Sequence, residues 1–303
     1  MALLARTIPA PPRPGFHPPV SASSLSTSAP TVWVEGLTKT FYDESRGEVH
    51  AVDGVSFQCH PGEVLGLLGA NGAGKTTTMR MLSTILRPSA GTAHLMGHDV
   101  VAEPEEVRAN LGFYSASTAL YPRLTARETL EFFARVNRYP PERVAARVEE
   151  LVHRFSITEF QNARVEKLSS GMKQKVSIAR TVVHDPPVLI FDEPTVGLDV
   201  INALEMQEVV RALRDEGKTI IFSTHIMSEA EKLCDTIAII NAGHILASGS
   251  LEDHRRATGK HYLEDIFVYY VRDGGTSSLG RPDAGGVASG ADGPIGVLPA
   301  PES

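Results

Sequence analysis

The sequence predicts an α/β fold built on a mainly parallel sheet, and two observations lead there. Short, almost wholly apolar runs recur at Val64–Leu68, Val188–Phe191, Thr219–Ser223 and Ile237–Ile240. Helical patterns fall between the later ones, at Ile201–Glu216 and Ser228–Cys234. A strand covered on both faces needs such unbroken apolar runs, and strands alternating with helices are how parallel neighbours are joined.

The remaining elements follow in chain order. Val32–Val34 and Val55–Phe57 read as short strands, and Val64–Leu68 runs into Gly69 as a buried strand enters a tight turn. Thr76–Leu86 reads as a helix. Val144, Val148, Leu151, Val152 and Phe155 recur at helical spacing, with Arg147, Glu149 and Glu150 on the other face, so an amphipathic helix is expected inside a helical insert. Residues 1–30 hold seven of the 20 prolines and are expected to form a disordered leader. Residues 274–303, rich in Gly, Ser, Ala and Pro, are expected to form a second flexible tail, which leaves 31–273 as the folded body.

Composition bounds the function. A chain of 303 residues, 42% hydrophobic and 21% charged, can bury one sizeable core with a smaller subdomain. A net charge of −7 gives no support to a nucleic-acid partner. Cys59 and Cys234 are too few for a disulfide framework or a zinc site, which fits a reducing, cytosolic setting. No run approaches the roughly 18 apolar residues of a membrane span. Met1–Ala5, followed by Arg6, lacks the pattern of a secretory signal.

Two segments carry the chemistry. Gly69-Ala70-Asn71-Gly72-Ala73-Gly74-Lys75-Thr76 satisfies the phosphate-loop pattern between a strand and a helix. Glycines let successive backbone N–H groups turn inward, and the helix N-terminus adds partial positive charge. Lys75 is then expected on the β- and γ-phosphates and the Thr76 hydroxyl on Mg²⁺. Val188–Phe191 delivers Asp192 and Glu193 at a strand's carboxyl end, where open parallel sheets bind ligands. Asp192 is expected to hold Mg²⁺ and Glu193 to polarise an attacking water. Without the phosphate loop, two acids there would be an ordinary helix cap or solvated turn.

Between these segments lies Leu168-Ser169-Ser170-Gly171-Met172-Lys173-Gln174-Lys175, and with it the sequence closely resembles the ABC ATPase family. By itself Ser169 would be a plain helix cap; its place 94 residues after Lys75 and 23 before Asp192 gives it meaning. The resemblance covers about Val32 to Asp273. It implies a P-loop NTPase core with an antiparallel β subdomain and a helical insert over about 111–168. It also implies ATP and Mg²⁺ as ligands, with Thr77 among the phosphate contacts, and Ser169 and Gly171 meeting the γ-phosphate held by an opposite subunit. Gly197-Leu198-Asp199 resembles the loop that lines the dimer seam, and Ser223-Thr224-His225 resembles the switch segment, with His225 as a catalytic contact. Phe41 aligns with the aromatic residue that stacks on adenine, with Tyr42 beside it. Ser170–Lys175 and Leu120–Glu128 are similar to the sodium-efflux and drug-export (NatA-like) group.

That resemblance implies an ATP-hydrolysing subunit on the cytoplasmic face of a membrane. Its partners would be membrane-spanning permease subunits encoded as separate chains, docking over about Leu111–Phe160, and a second ATP-binding subunit in a homodimer. No nucleic acid is expected. A soluble family member acting on ribosomes or DNA, or a weakly hydrolysing regulatory subunit, is the alternative. Two departures bear on this. The family's Mg²⁺-contacting Gln is absent from Phe113–Thr118, with Ala116 in its place and Ser115, Ser117 or a water as the substitute oxygen. Ser170 and Met172 stand where Gly and Gln are usual.

Other groups carry no site. His94 and His98 are separated by Gly97, which argues against a helix that would align them. His244, His254 and His261 are expected to be solvated, and Arg143, Arg147 and Arg154 to form an ordinary charged helix face.

Overall fold

A computed structural model describes residues 29–45, 47–115 and 118–272. The expected leader up to residue 28, the expected tail, and Ala116 and Ser117 lie outside the described residues. The chain begins with β1 (Val32–Asp43), β2 (Gly47–Cys59), β3 (Val64–Leu68), α1 (Lys75–Leu82), β4 (Ala90–Leu95) and β5 (His98–Asp99). Next come α2 (Pro104–Ala109), β6 (Leu111–Ser115), α3 (Ala126–Val136), α4 (Val144–Arg154) and α5 (Ser170–Thr181). The last part holds β7 (Val188–Asp192), α6 (Val200–Asp215), β8 (Thr219–Thr224), α7 (Met227–Leu233), β9 (Thr236–Asn241), β10 (His244–Gly249), α8 (Leu251–Thr258) and α9 (Leu263–Arg272).

The main sheet has the order β10-β9-β3-β8-β7-β6, with β10 antiparallel to β9 and the other pairs parallel. Its central strands β3, β7 and β8 are buried along their whole length because both faces are covered. Leu65, Leu67, Ile190 and Ile221 face α1 and the second sheet, packing with Met79, Met81 and Leu82. Val64, Leu189, Phe191, Ile220 and Phe222 face the other way, into a core shared with α3 to α6. A smaller cluster joins Leu68, Ile237 and Ile239 to α7 and to Leu263 and Ile266 of α9.

The second sheet is antiparallel, in the order β2-β1-β4-β5. The short strands predicted at Val32–Val34 and Val55–Phe57 are parts of much longer ones. Register shifts follow Val34 and Leu37, and beyond them β1 runs out into the exposed Phe41–Asp43, where no apolar alternation marks a strand. Helix α1 ends sooner than predicted, at Leu82. Thr84 takes a left-handed φ of 60°, and the amides of Ile85 and Leu86 fold back onto Arg80 O. Ile85 is exposed, so no buried stripe continues the helix.

The region expected as a helical insert opens with β6, a strand of the main sheet. Helix α3 follows from a capping box in which Thr125 and Glu128 satisfy each other's backbone N–H groups. In α4 the predicted stripe Val144, Val148, Leu151 and Val152 is buried, and so is Phe155 just beyond it.

Two expectations about charged groups are corrected. Arg147 is no solvated face residue: its guanidinium donates to Val182 O at 2.8 Å and Val183 O at 3.2 Å. These are carbonyls just past the end of α5, where a cation also interacts favourably with the helix terminus. His254 is 2% exposed and donates from Nε2 to Ile237 O at 2.8 Å, tying α8 to β9.

His184, just after α5, donates from Nε2 to Leu111 O at 3.2 Å, while its buried Nδ1 meets no hydrogen-bond partner among the described residues. Burial therefore pushes its pKa down to about 4, against the opposing pull of the Leu111 carbonyl. The unfolded chain takes up this proton near pH 6.5 and the folded chain only near 4, so acidification between those values favours unfolding. Replacing His184 by Gln is expected to flatten the fall in stability between pH 7 and pH 4.5 by about 1–2 kcal/mol, read by denaturant titration at both pH values.

Candidate nucleotide-binding site

The main sheet gathers the site at the carboxyl ends of β3, β7 and β8. Leu68 is paired with Thr224 and Asp192 with Ser223, so the residues that follow β3 and the two acids emerge side by side. After β3 the chain curls between its neighbours. A Cβ on Gly69 would lie 2.4 Å from Ile240 O, and Gly74, at φ 110°, would place one 2.7 Å from Ala51 O. Only glycine fits at either position.

Lys75, at the first turn of α1, is 4% exposed. Its ammonium donates to Gly69 O at 2.7 Å and Ala70 O at 3.1 Å, and pairs with Glu193 Oε1 at 3.0 Å. A buried cation needs this full set of acceptors. Next to it the Thr76 hydroxyl donates to Asp192 Oδ1 at 3.0 Å. Glu193 itself stands in left-handed backbone, at φ 48°, a strain of about 1–3 kcal/mol for a residue with a side chain. His225 Nδ1 lies 3.5 Å from Glu193 Oε1.

A cavity of about 310 Å³ opens here, lined by Ala51, Asn71, Gly72, Gly74, Lys75, Thr76, Thr77 and Glu193. The glycine-rich loop, the start of α1 and the Lys75 ammonium give it the chemistry that suits phosphate groups. An anion entering it could take the place of the Glu193 carboxylate on Lys75. The Thr76 hydroxyl and Asp192 carboxylate are hard oxygen donors suited to Mg²⁺. Among the described residues no group of three or more His, Cys, Asp or Glu could hold a metal alone. A cation at this pair would complete its shell with phosphate and water oxygens, as Mg²⁺ commonly does.

The structure thus brings Gly69 to Thr77, Asp192, Glu193 and His225 to one place. Ala73 contributes by packing: it is buried, and its carbonyl accepts from Gly243 N at 2.9 Å. Phe41 lies on β1 at 43% exposure, under the Lys39 ammonium, and does not line the cavity. Ser169 caps α5 by accepting from Met172 N at 3.3 Å, and Gly171 lies against the side chain of Asn202; neither lines the cavity. Ser115, one of the two serines offered as a substitute oxygen, is buried at the end of β6 and paired in register with Asp192; Ser117 lies outside the described residues. His94 and His98 lie on β4 and β5, each beside its own acid, Asp99 and Glu103.

Sequence reasoning passed over three contributors. Ala51 reaches the cavity only because β2 folds over it. Ser223 Oγ donates to Asp192 Oδ1 and accepts from the backbone N–H of Glu193. Thr224 Oγ1 donates to the buried Glu229 at 2.7 Å and accepts from Ile226 N at 2.9 Å, which shapes the turn at His225. The sequence signal for the last two was only their place beside His225.

Fold and site together define a phosphate-loop nucleoside triphosphatase with an antiparallel sheet laid over the nucleotide loop. Comparison with known proteins agrees. The ABC transporter family pattern matches residues 52–196. The chain is 41% identical to the ABC transporter ATP-binding protein NatA of Bacillus subtilis over 75% of its own length and 93% of that protein's. It is 37% identical to the daunorubicin resistance ATP-binding protein DrrA3 of Streptomyces coeruleorubidus, over 78% of this chain and 73% of that one. For the Nod factor export ATP-binding protein I of Ralstonia nicotianae the identity is 38%, over 80% and 73%. A solved ATP-binding subunit of an ABC transporter superposes with a TM-score of 0.73 at 29% identity, covering 80% of this chain and all of that one. A dimeric ATP-binding cassette bound to ADP and Pi shares the fold, with a TM-score of 0.66 at 24% identity over 72% of this chain and 98% of that one.

The chain belongs to the ABC transporter ATP-binding family. It is an ATPase of that family, its hydrolysis coupled to transport.

Gly74→Ala is expected to weaken binding of a fluorescent ATP analogue at least tenfold, because its Cβ meets backbone that cannot yield. Gly72→Ala has open space around it and is expected to weaken binding less, despite its φ of 81°.

Proposed function

We propose that this chain binds Mg-ATP between Lys75, Thr76 and Asp192, and hydrolyses it with Glu193 as the base, to drive export through separate permease subunits. The observation that carries the catalytic part is the convergence of Lys75 and His225 on the Glu193 carboxylate beside the Thr76–Asp192 pair. Phosphates arriving at Lys75 release Glu193 from its ion pair. The freed carboxylate then accepts a proton from water at Oε1, with His225 beside it. Bound Mg²⁺ supplies charge neutralisation at the phosphates. Gly69 to Gly74 and Thr77 add backbone and hydroxyl donors around them.

Ser169 and Gly171 lie off this chain's own cavity, which suits residues that complete a partner subunit's site in a head-to-tail homodimer. Phe41, exposed on β1, is free to stack on an adenine ring. The export reading draws on relatives named for Nod factor export and for daunorubicin resistance. No helix among the described residues is long and apolar enough to cross a membrane. On the export reading the chain works on the cytoplasmic face beneath its permease. Tyr121, Phe132 and Val136 are 52%, 41% and 57% exposed in the region proposed for docking. Tyr121 and Phe132 pack edge to face, 5.5 Å between centroids, and form an apolar patch for a permease helix.

Glu193→Gln is expected to lower Mg²⁺-dependent turnover at least a hundredfold and to trap a dimer in ATP, seen as a doubling of mass in solution. Turnover unchanged by that substitution would instead mark a subunit that uses ATP weakly or by another base.

A further inference from the structure

We infer that Ser223 is a positioning residue for hydrolysis, setting the orientation of both acids through one hydroxyl and tying them to the strand that carries His225. The inference rests on the proposed roles of Asp192 and Glu193. Ser223 is fully buried on β8, directly opposite Asp192 in the β7–β8 register. Its Oγ donates to Asp192 Oδ1 at 2.9 Å and accepts from Glu193 N at 2.9 Å. A hydroxyl supplies one proton and two lone pairs, so a single serine can do both.

Each bond constrains a different part of the site. The bond to Oδ1 limits rotation of the Asp192 carboxylate. Thr76 also donates to that oxygen, but its hydroxyl is needed by a metal once nucleotide binds, whereas Ser223 lies beneath the site and keeps its bond. The bond from Glu193 N holds the backbone at φ 48°, the conformation that aims the Glu193 side chain back toward Lys75 and His225. Loss of the hydroxyl leaves that backbone N–H without this partner and allows the turn to relax out of its strained conformation. Positioning of this kind acts on the reacting geometry more than on substrate affinity.

His225 follows two residues later on the same strand end. A shift of that end is therefore felt by Glu193 through its backbone and by Asp192 through its carboxylate, without any contact from His225 to Asp192. Ser223 makes the switch segment and the acids move as one body.

The test is Ser223→Ala in the full chain, with ATP turnover followed against both ATP and Mg²⁺ concentration, ATP binding measured without metal, and thermal unfolding recorded alongside. Alanine fits the space, so folding is expected to survive. The expected result is a fall in kcat of about tenfold or more with KM for ATP within about threefold of the parent. The Mg²⁺ concentration for half-maximal activity should rise about threefold or more, while metal-free ATP binding stays unchanged. A kcat within twofold of the parent, with Glu193→Gln still inactive, would overturn the role of Ser223 alone. So would equal losses in metal-free ATP binding and thermal stability with no shift in Mg²⁺ dependence, since those describe a residue that merely supports the fold. If Glu193→Gln turns over like the parent, the catalytic reading fails and this inference falls with it.

Discussion

The in-register pairing of β3, β8 and β7 is the constraint on which the rest depends. Parallel strands hydrogen-bonded without slippage end at one level, and here that level carries the start of the nucleotide loop, Asp192, Ser223 and Thr224. A one-residue slip would turn every side chain to the opposite face. The two cores prevent this: Ile190 and Ile221 are committed to one side of the sheet, Phe191 and Phe222 to the other. Hydrophobic burial far from the chemistry thus holds oxygen atoms about 3 Å apart at the site.

That frame makes it tolerable to bury Lys75. An ammonium removed from water must be matched by acceptors, and the loop carbonyls and Glu193 match it. The carboxylate that shields the lysine is the same group the hydrolysis reading uses as its base. Binding and catalysis are on that account linked by competition for one ammonium, and the strained backbone at Glu193 is part of the link.

The helical region is joined to this centre by α5. This helix is capped by Ser169, which lies outside the cavity, and the carbonyls that follow its last turn are held by Arg147 of α4. Near its end Arg180, which is buried, stacks over Phe133, a ring that packs against Tyr121 and Phe132 in the exposed aromatic patch. One helix therefore spans from the segment proposed to meet a partner's nucleotide to the surface proposed to meet the permease.

The sequence by itself determined the class of fold, the phosphate loop and the two acids. These rest on local patterns: uninterrupted apolar runs, glycines where backbone must turn tightly, and polar residues placed at strand ends. Strands such as β10, in which no residue is buried strongly on either face, and the far end of β1 carried no such pattern and were illegible. So were His254 and Arg147, whose partners, Ile237 and Val182, come from other elements. Only the tertiary structure decided that Ser223 bridges Asp192 and Glu193, or that Ala51 closes the cavity. Those contacts join residues 20 or more positions apart through sheet register and the packing of one sheet on another, and no local pattern encodes them.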